Sequence, residues 1–533
     1  MTTASAAGSI QIPAEEGFTG GRNPWAIALT VTLATFMEVL DTSIANVSLA
    51  HIAGTLSVSQ DESTWVLTSY LVSNAIVLPV SGWFATKFGR KRFYMACVVI
   101  FTTSSLLCGL APNLGLLIFF RVLQGLGGGG LAPSEQAILA DTFAPQKRAT
   151  AFAVYAMAVV LAPAIGPTLG GFITDHYSWR WVFLINVPVG LLSLFLSSRM
   201  LRDPPHLVAA KKRVGGIDYI GLGLIAVGLG ALELVLDRGQ EEDWFASPAI
   251  VSFAVVAGIA LVSFVFWELR QEHPVVDVRL FKSRNFAVSN LMMLVLGMSL
   301  YGSTVLLPQY LQVWMGYSAM DAGMALSPGA LVFVCLMPIV GPLVSRYDAR
   351  YLIAFGFTVL ALALYHMSRT LYPGIDFSTT VWLRIYVTIG MAFLFVPINT
   401  VVYAGVAPSK NNAVAGIVNL SRNMGGDIGI AMVTTLIARR SQVHQERIAT
   451  HVAGGAQVFA AKLSAITQAF ERAGMSSVQA TRSAYAAIYR QVIQQAQTLA
   501  YLDTLFVFAC VAALMVPLVL LTKSARGRAA AGH

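Results

Sequence analysis

The chain has 533 residues, of which 56% are hydrophobic and only 11% are Asp, Glu, Lys or Arg, with a net charge of +9. Ordinary soluble domains carry about 25% charged residues, so the composition excludes a soluble globular protein and points to a polytopic membrane protein. The positive balance does not imply nucleic acid, because no basic cluster lies on a soluble face; the basic residues fall in short connections between apolar segments.

Residues 1–24 are mostly polar and small and read as a cytoplasmic tail with no cleavable signal. Runs of about 20 apolar residues, each long enough to cross a bilayer, then recur. They lie near 25–46, 64–85, 93–111, 114–138, 149–172, 181–200, 217–236, 248–267, 286–312, 323–344, 351–370, 380–402, 413–437 and 499–521. The expectation is an all-α integral membrane protein with fourteen spans. One set of connections holds Lys87, Arg90, Lys91, Arg92, Lys147, Arg148, Arg199, Arg202, Lys211, Lys212 and Arg213. It goes on with Arg270, Arg279, Lys282, Arg284, Arg346, Arg350 and Lys410, while the opposite short loops hold Arg180, Arg238 and Arg369. Basic residues favour the cytoplasmic side, which places both termini there, together with the basic tail 523–533.

Span 1 carries Glu38 and Asp41 in the run Phe36-Met37-Glu38-Val39-Leu40-Asp41-Thr42. An ionised carboxylate inside a span costs roughly 2.5–3.5 kcal/mol and is rarely kept without a use. Three residues apart on a helix, the two acids share a face. A carboxyl group in such a place can carry a proton, so the chain reads as a proton-driven transporter.

After span 2 stands Gly82-Trp83-Phe84-Ala85-Thr86-Lys87-Phe88-Gly89-Arg90-Lys91-Arg92. Gly82 and Gly89 suit a tight turn, and the basic cluster suits anionic headgroups. Span 4 carries Arg121, a guanidinium that needs a carboxylate or carbonyl partner in a membrane. Asp41 lies about five residues, or about 8 Å, from the outer end of span 1, and Arg121 about seven residues, or about 10 Å, from that of span 4. The two are expected to meet, as a coupling pair or as a structural ion pair; Glu135, nearer the inner end, reaches much less well. Gln124, one turn along from Arg121, is a pocket candidate. In span 5, Ala162, Gly166 and Gly170 form a ridge of small residues beside Gly171, and Pro163 and Pro167 bend the helix. A bent helix with a smooth face suits a rocking interface between two bundles.

Three further stretches complete the pattern. Ser178-Trp179-Arg180-Trp181-Val182-Phe183-Leu184-Ile185-Asn186-Val187-Pro188-Val189-Gly190 opens span 6. Glu268-Leu269-Arg270, His273-Pro274-Val275-Val276-Asp277 and Leu280-Phe281 precede span 9. Pro308-Gln309-Tyr310-Leu311-Gln312 and Gly316-Tyr317-Ser318 close it. With Leu40-Asp41-Thr42 and the motifs of spans 2, 4 and 5, the chain resembles the fourteen-span drug:proton antiporters of the EmrB/QacA type within the major facilitator superfamily, over nearly its whole length.

The resemblance implies two six-helix bundles, 25–200 and 286–522, with two additional spans in 201–285. It also implies export of amphipathic toxic compounds across the bacterial inner membrane, driven by the proton gradient with no cofactor, metal or enzymatic step. Asp41, Glu38 and Arg121 become the coupling residues, and Gly82, Gly89, Arg90, Pro163, Gly166, Pro167, Gly170 and Gly171 the conformational motifs. Thr86 departs from the pattern, since the family usually places there an Asp that joins the inward-gate charge network. The latch is then weaker or built elsewhere. Ala162 stands where Gly is usual.

Among the other buried polar residues, Glu233 in span 7 is either a pocket acid or interfacial, and Arg384 snorkels. Asp427 in span 13 is either a cation-attracting pocket residue or the partner of Arg422. Gln309, Tyr310, Gln312 and Asn399 are expected to line the same cavity. Cys97, Cys108, Cys335 and Cys510 lie in spans without metal-ligand spacing and read as inert packing. Between about Arg439 and Leu499 apolar residues recur at helical spacing with a break near Gly474, which predicts a pair of outward helices. By resemblance, this loop (440–498) is either where a periplasmic adaptor of the EmrA type docks, leading to an outer-membrane channel of the TolC type, or a passive linker such as the extracellular hairpin of single-component pumps. Export of one dedicated compound, such as a fatty acid or an antibiotic, is the alternative; a non-transporting sensor is a more distant one.

Overall fold

The computed structural model describes residues 18–211, 216, 218–454 and 456–522. Residues 1–17 of the expected N-terminal tail, Lys212, Arg213 and the basic tail 523–533 lie outside the described residues. Among the described residues there are helices and no strands, as a bilayer requires of a chain that does not close a barrel.

The spans are α1 (Pro24–Val47), α2 (Gln60–Phe88), α3 (Arg90–Leu110), α4 (Leu114–Thr142), α5 (Arg148–His176), α6 (Arg180–Met200), α7 (Tyr219–Arg238), α8 (Pro248–Arg270) and α9 (Arg284–Met315). They continue as α10 (Ala319–Arg346), α11 (Ala349–Thr370), α12 (Phe377–Tyr403), α13 (Asn411–Gly454) and α14 (Ser477–Val519). Thirteen of these are long and apolar enough to cross a membrane. The exception, α13, carries Arg422, Asn423 and Asp427 in its spanning part, yet it packs against α2, α9 and α14. Its neighbours, not the lipid, solvate those groups.

Local chemistry sets several boundaries. Ser59 and Glu62 form a reciprocal capping box at the start of α2, and Ser318 and Asp321 do the same for α10. Gly89 ends α2 at φ 95°, a backbone region that favours glycine. The chain bends at Ser48, after which a short helix, Leu49–Leu56, prolongs α1. A second interruption, at Gly129–Gly130, divides α4 into Leu114–Gly128 and Leu131–Thr142.

Helices α1 to α6 form one packed group, with α1 against α5 and α6, α2 against α4, and α3 against α4 and α6. Helices α9 to α14 form a second, with α9 against α12 and α13, α10 against α12, and α11 against α12 and α14. The groups meet along two lines, α5–α10 and α2–α13, and the α7–α8 hairpin lies against α2 and α13. Helix α7 therefore touches both groups at once.

Helices α13 and α14 have 44 and 43 residues, about 65 Å each at 1.5 Å per residue, against a hydrocarbon core of about 30 Å. They project together on the face opposite the basic connections. The expected pair of separate helices is instead these two extensions with the helix Ala456–Arg472 between them, and the break does fall at Gly474, with φ 94°. Arg440 Nε donates to Asp503 Oδ2 at 2.8 Å, tying the extensions together, and Lys462 Nζ donates to Gln491 Oε1 at 2.9 Å, tying the helix between them to α14. Two of the four cysteines depart from the packing expectation: Cys97 and Cys108 are buried, but Cys335 and Cys510 are exposed.

Candidate functional site

Asp41 and Arg121 meet in the interior of the first group, both wholly buried. Arg121 Nη1 donates to Asp41 Oδ2 at 2.6 Å and to Gln124 Oε1 at 2.8 Å, while its Nε donates to the Val66 carbonyl at 2.9 Å. Asp41 Oδ1 accepts from Gln124 Nε2 at 3.1 Å and from Asn186 Nδ2 at 2.6 Å. Asn186 is itself held by Ser105 Oγ at 3.0 Å. The carboxylate is thus gripped by one charge and two amides. Protonating it removes the ion pair and turns one acceptor oxygen into a donor, leaving a buried guanidinium with neutral partners only. Such a change is large in a low-dielectric interior.

Glu38 lies one turn away on the same face of α1 and is 8% exposed. Its Oε1 accepts from Asn74 Nδ2 at 3.1 Å and from Tyr70 OH at 3.4 Å, and its Oε2 is buried without a partner. The Tyr70 ring lies 4.3 Å from the Arg121 guanidinium, so one side chain touches the surroundings of both acids. Asn186 stood within a motif already noted in span 6. Tyr70 and Asn74 were not singled out, although with Ser73 they form a polar stripe at helical spacing along α2. The glycine run of α4 brings that stripe inward: a Cβ on Gly125 would lie 2.0 Å from Ser73 Oγ, and one on Gly128 2.5 Å from Tyr70 OH. Glu135 does not reach Arg121; its Oε1 accepts from Thr32 Oγ1 at 2.5 Å.

The other candidates do not form one cavity. Arg422 and Asp427 are five residues apart, about 140° round a helix, and they do not pair. Arg422 donates to Tyr155 OH, whose hydroxyl donates to Asn419 Oδ1 at 2.9 Å. Asp427 stands beside Glu233 of α7 and near Asp237, which accepts from Thr68. Glu233 is thus buried at the junction of α7 and α13 rather than in a pocket with Arg422. Gln309 is exposed, and Tyr310 packs edge-on against Tyr501 at 5.2 Å in the second group. Both lie near the far end of α9. Asn399, bonded to Phe395 of its own helix, lies near the basic end of α12. Helices of 32 and 27 residues place these ends tens of ångströms apart, so the expected shared lining is corrected. Arg384 does not snorkel: it is 8% exposed and turns inward.

A model of the Major Facilitator Superfamily matches residues 31–430. Multidrug export protein EmrB of Escherichia coli strain K12 is 37% identical over 455 residues, covering 85% of this chain and 87% of that protein. Fatty acid resistance protein FarB of Neisseria gonorrhoeae is 38% identical over 426 residues, covering 80% and 83%. The chain belongs to the major facilitator superfamily. Among solved structures, the proton:xylose symporter XylE superposes with a TM-score of 0.56 at 14% identity, covering 78% of this chain and 88% of that one. A bacterial homologue of the lysosomal transporter Spinster gives 0.55 at 17% identity, covering 94% and 98%. These two share the fold.

The superfamily motif after span 2 joins the two groups at the basic face, although Thr86 replaces its usual Asp. Arg90 Nη1 bonds Asp141 Oδ2 at 2.6 Å, and Arg90 Nε donates to Asn412 Oδ1 at 2.7 Å. Asn411 Nδ2 donates to Asp141 Oδ1 at 2.6 Å, and Asn412 Nδ2 to Thr86 Oγ1 at 3.3 Å. The acid that pairs with Arg90 stands at the end of α4, and two asparagines of α13 complete the network. A Cβ on Gly82 would lie 2.7 Å from the Asn412 carbonyl, so glycine is what lets α2 and α13 touch. On α5, a Cβ on Gly166 would lie 2.2 Å from Ser43 Oγ, and one on Gly170 3.0 Å from Ile44 Cγ2. Gly171 touches nothing on its open side, so the ridge against α1 consists of Ala162, Gly166 and Gly170.

Proposed function

We propose that this chain is a proton-driven exporter of amphipathic toxic compounds in the bacterial inner membrane, with both termini cytoplasmic and no cofactor. The observation that carries the reading is Asp41, wholly buried and held by Arg121, Gln124 and Asn186. An acid so placed changes its partners only when it gains or loses a proton. The names of the relatives, multidrug export and fatty acid resistance, support the substrate class. In the outward-facing state Asp41 takes up a proton and loosens Arg121; Tyr70 passes the change toward Glu38, which faces substrate. The bundles then rock along α5–α10 and α2–α13, the latch at Arg90 opens, and the proton leaves inward as drug is loaded. The projecting 440–498 helices meet a periplasmic adaptor, which hands substrate to an outer-membrane channel.

The test is purified protein in liposomes, followed by drug-dependent proton release. Asp41→Asn, which mimics the protonated acid, is expected to abolish release while still binding drug. Full coupling in this variant refutes the assignment.

A further inference from the structure

Arg384 occupies a place that the proposed cycle does not use. Its guanidinium is more than nine-tenths buried, with Nη1 donating to Ser303 Oγ at 2.9 Å and Nη2 to Thr304 Oγ1 at 3.1 Å. Among the described residues no carboxylate stands within 4.0 Å of it. Among the other deeply buried arginines, Arg90 and Arg121 have carboxylates at 2.6 Å, and Arg422 donates to Tyr155 OH and Asn423 Oδ1. A lone guanidinium at membrane depth is costly, and two hydroxyl groups answer only two of its five N–H donors.

The charge borders a cavity. Its walls are Val160 and Pro163 of α5, Leu300 of α9, Leu326 of α10, and Thr388 and Met391 beside Arg384 on α12. About 20 Å³ is open to the centre of a water-sized group, more than the roughly 10–15 Å³ that one water needs. In this conformation it has room for about one water, and apart from Tyr301, Thr304 and Thr388 the remaining lining is apolar. The cavity is also positioned to change size. One wall is α5, the proline-bent helix of the first group, and the other three belong to the second, so rocking opens or closes it. Gly329 makes room for the arginine: a Cβ there would lie 3.0 Å from both Arg384 Cγ and Thr388 Oγ1.

We infer that this cavity binds the carboxylate head of an anionic amphiphile, with Arg384 as its counter-ion and the apolar chain lying along the α5–α10 interface. The guanidinium fork matches a carboxylate and is never neutral, so the missing acid is supplied by the ligand. This rests on the export reading and narrows its substrate class to compounds that include long-chain monocarboxylates.

Binding of radiolabelled palmitate to the purified full-length chain in neutral detergent at pH 7.5 tests this, with hexadecyltrimethylammonium as a cationic probe of the same chain length. Arg384→Gln is expected to weaken palmitate binding on the order of ten- to a hundredfold, the loss of charge-assisted hydrogen bonds, and to leave the cationic probe unchanged. Arg384→Lys is expected to recover part of the loss. Gly329→Ala keeps the charge but displaces its stem and is expected to weaken palmitate selectively; if Arg384→Gln does not elute as a single species, this variant and Arg384→Lys decide. Equal palmitate affinity in wild type and variants, or no binding by wild type, overturns the inference. Displacement of palmitate by an equal amount of phosphatidylglycerol assigns the site to membrane lipid and overturns it as well. Because binding needs no proton gradient, the two readings fail separately. Arg384-dependent binding without uphill transport sinks the export reading alone, and Asp41-dependent export with Arg384-independent binding sinks this one alone.

Discussion

At the residue scale, the depth arithmetic for Asp41 and Arg121 identified the pair, but it did not supply the amides that hold it. Those amides make a distinction between substitutions testable. Asp41→Asn keeps an oxygen for Arg121 and copies a state that the cycle visits, so its thermal midpoint in detergent is expected to fall less than that of Asp41→Ala. Asp41→Ala leaves Arg121, Gln124 and Asn186 facing a void, at a cost of about 3–5 kcal/mol, and its midpoint is expected to fall. Equal midpoints for the two variants would contradict the idea that the neutral acid is accommodated. Glu38→Gln retains the Asn74 contact and is expected to slow transport of cationic drugs while leaving some proton release, unlike Asp41→Asn. Complete loss of proton release in Glu38→Gln would shift the coupling role to Glu38.

At the element scale, several helix contacts depend on the absence of a side chain. Gly166 admits Ser43 of α1, the helix that also carries both acids. Gly166→Ala is expected to cost about 1–3 kcal/mol by overpacking and to depress drug-dependent proton release, with recovery when Ser43→Gly is added. A double variant no better than the single one would show that this contact is not the cause. The latch at the basic face gives an independent test. Asp141→Asn weakens its hold on Arg90 and Asn411, so a buried reporter cysteine at position 415 (Ala415→Cys, 0% exposed in the wild type) is expected to react several times faster with a membrane-impermeant maleimide. Unchanged labelling would mean that glycine packing alone, at Gly82, keeps this end shut.

At the scale of the whole molecule, the α13 and α14 extensions stand apart from the helices that carry Asp41 and Arg121. Val458, Val478, Tyr485 and Tyr489 on it are exposed by more than half, and a cleft of about 970 Å³ runs past His444, Phe459 and Ile488. Deleting 445–495 is expected to spare proton-coupled transport in liposomes and to abolish drug resistance in cells. Equal loss of both would remove the docking role. The α7–α8 hairpin adds a second whole-molecule feature, since Glu233 and Asp427 face each other at the junction of that hairpin with the second bundle. It joins parts that move in the proposed cycle.

Sequence alone determined the fourteen helices and the superfamily, because membrane insertion is dictated by long apolar runs that need no tertiary partner. It also supplied the Asp41–Arg121 pair, since a buried charge narrows its own choice of partner and helical rise fixes its depth. What only the tertiary structure decided depends on rotation about helix axes and on which helices adjoin. Asp427 turned to Glu233 rather than Arg422, Tyr310 and Asn399 fell at opposite ends, Arg384 turned inward, and the latch acid proved to be Asp141. Neighbouring helices, not hydropathy, set those orientations, so residues close in space were free to be distant in the chain.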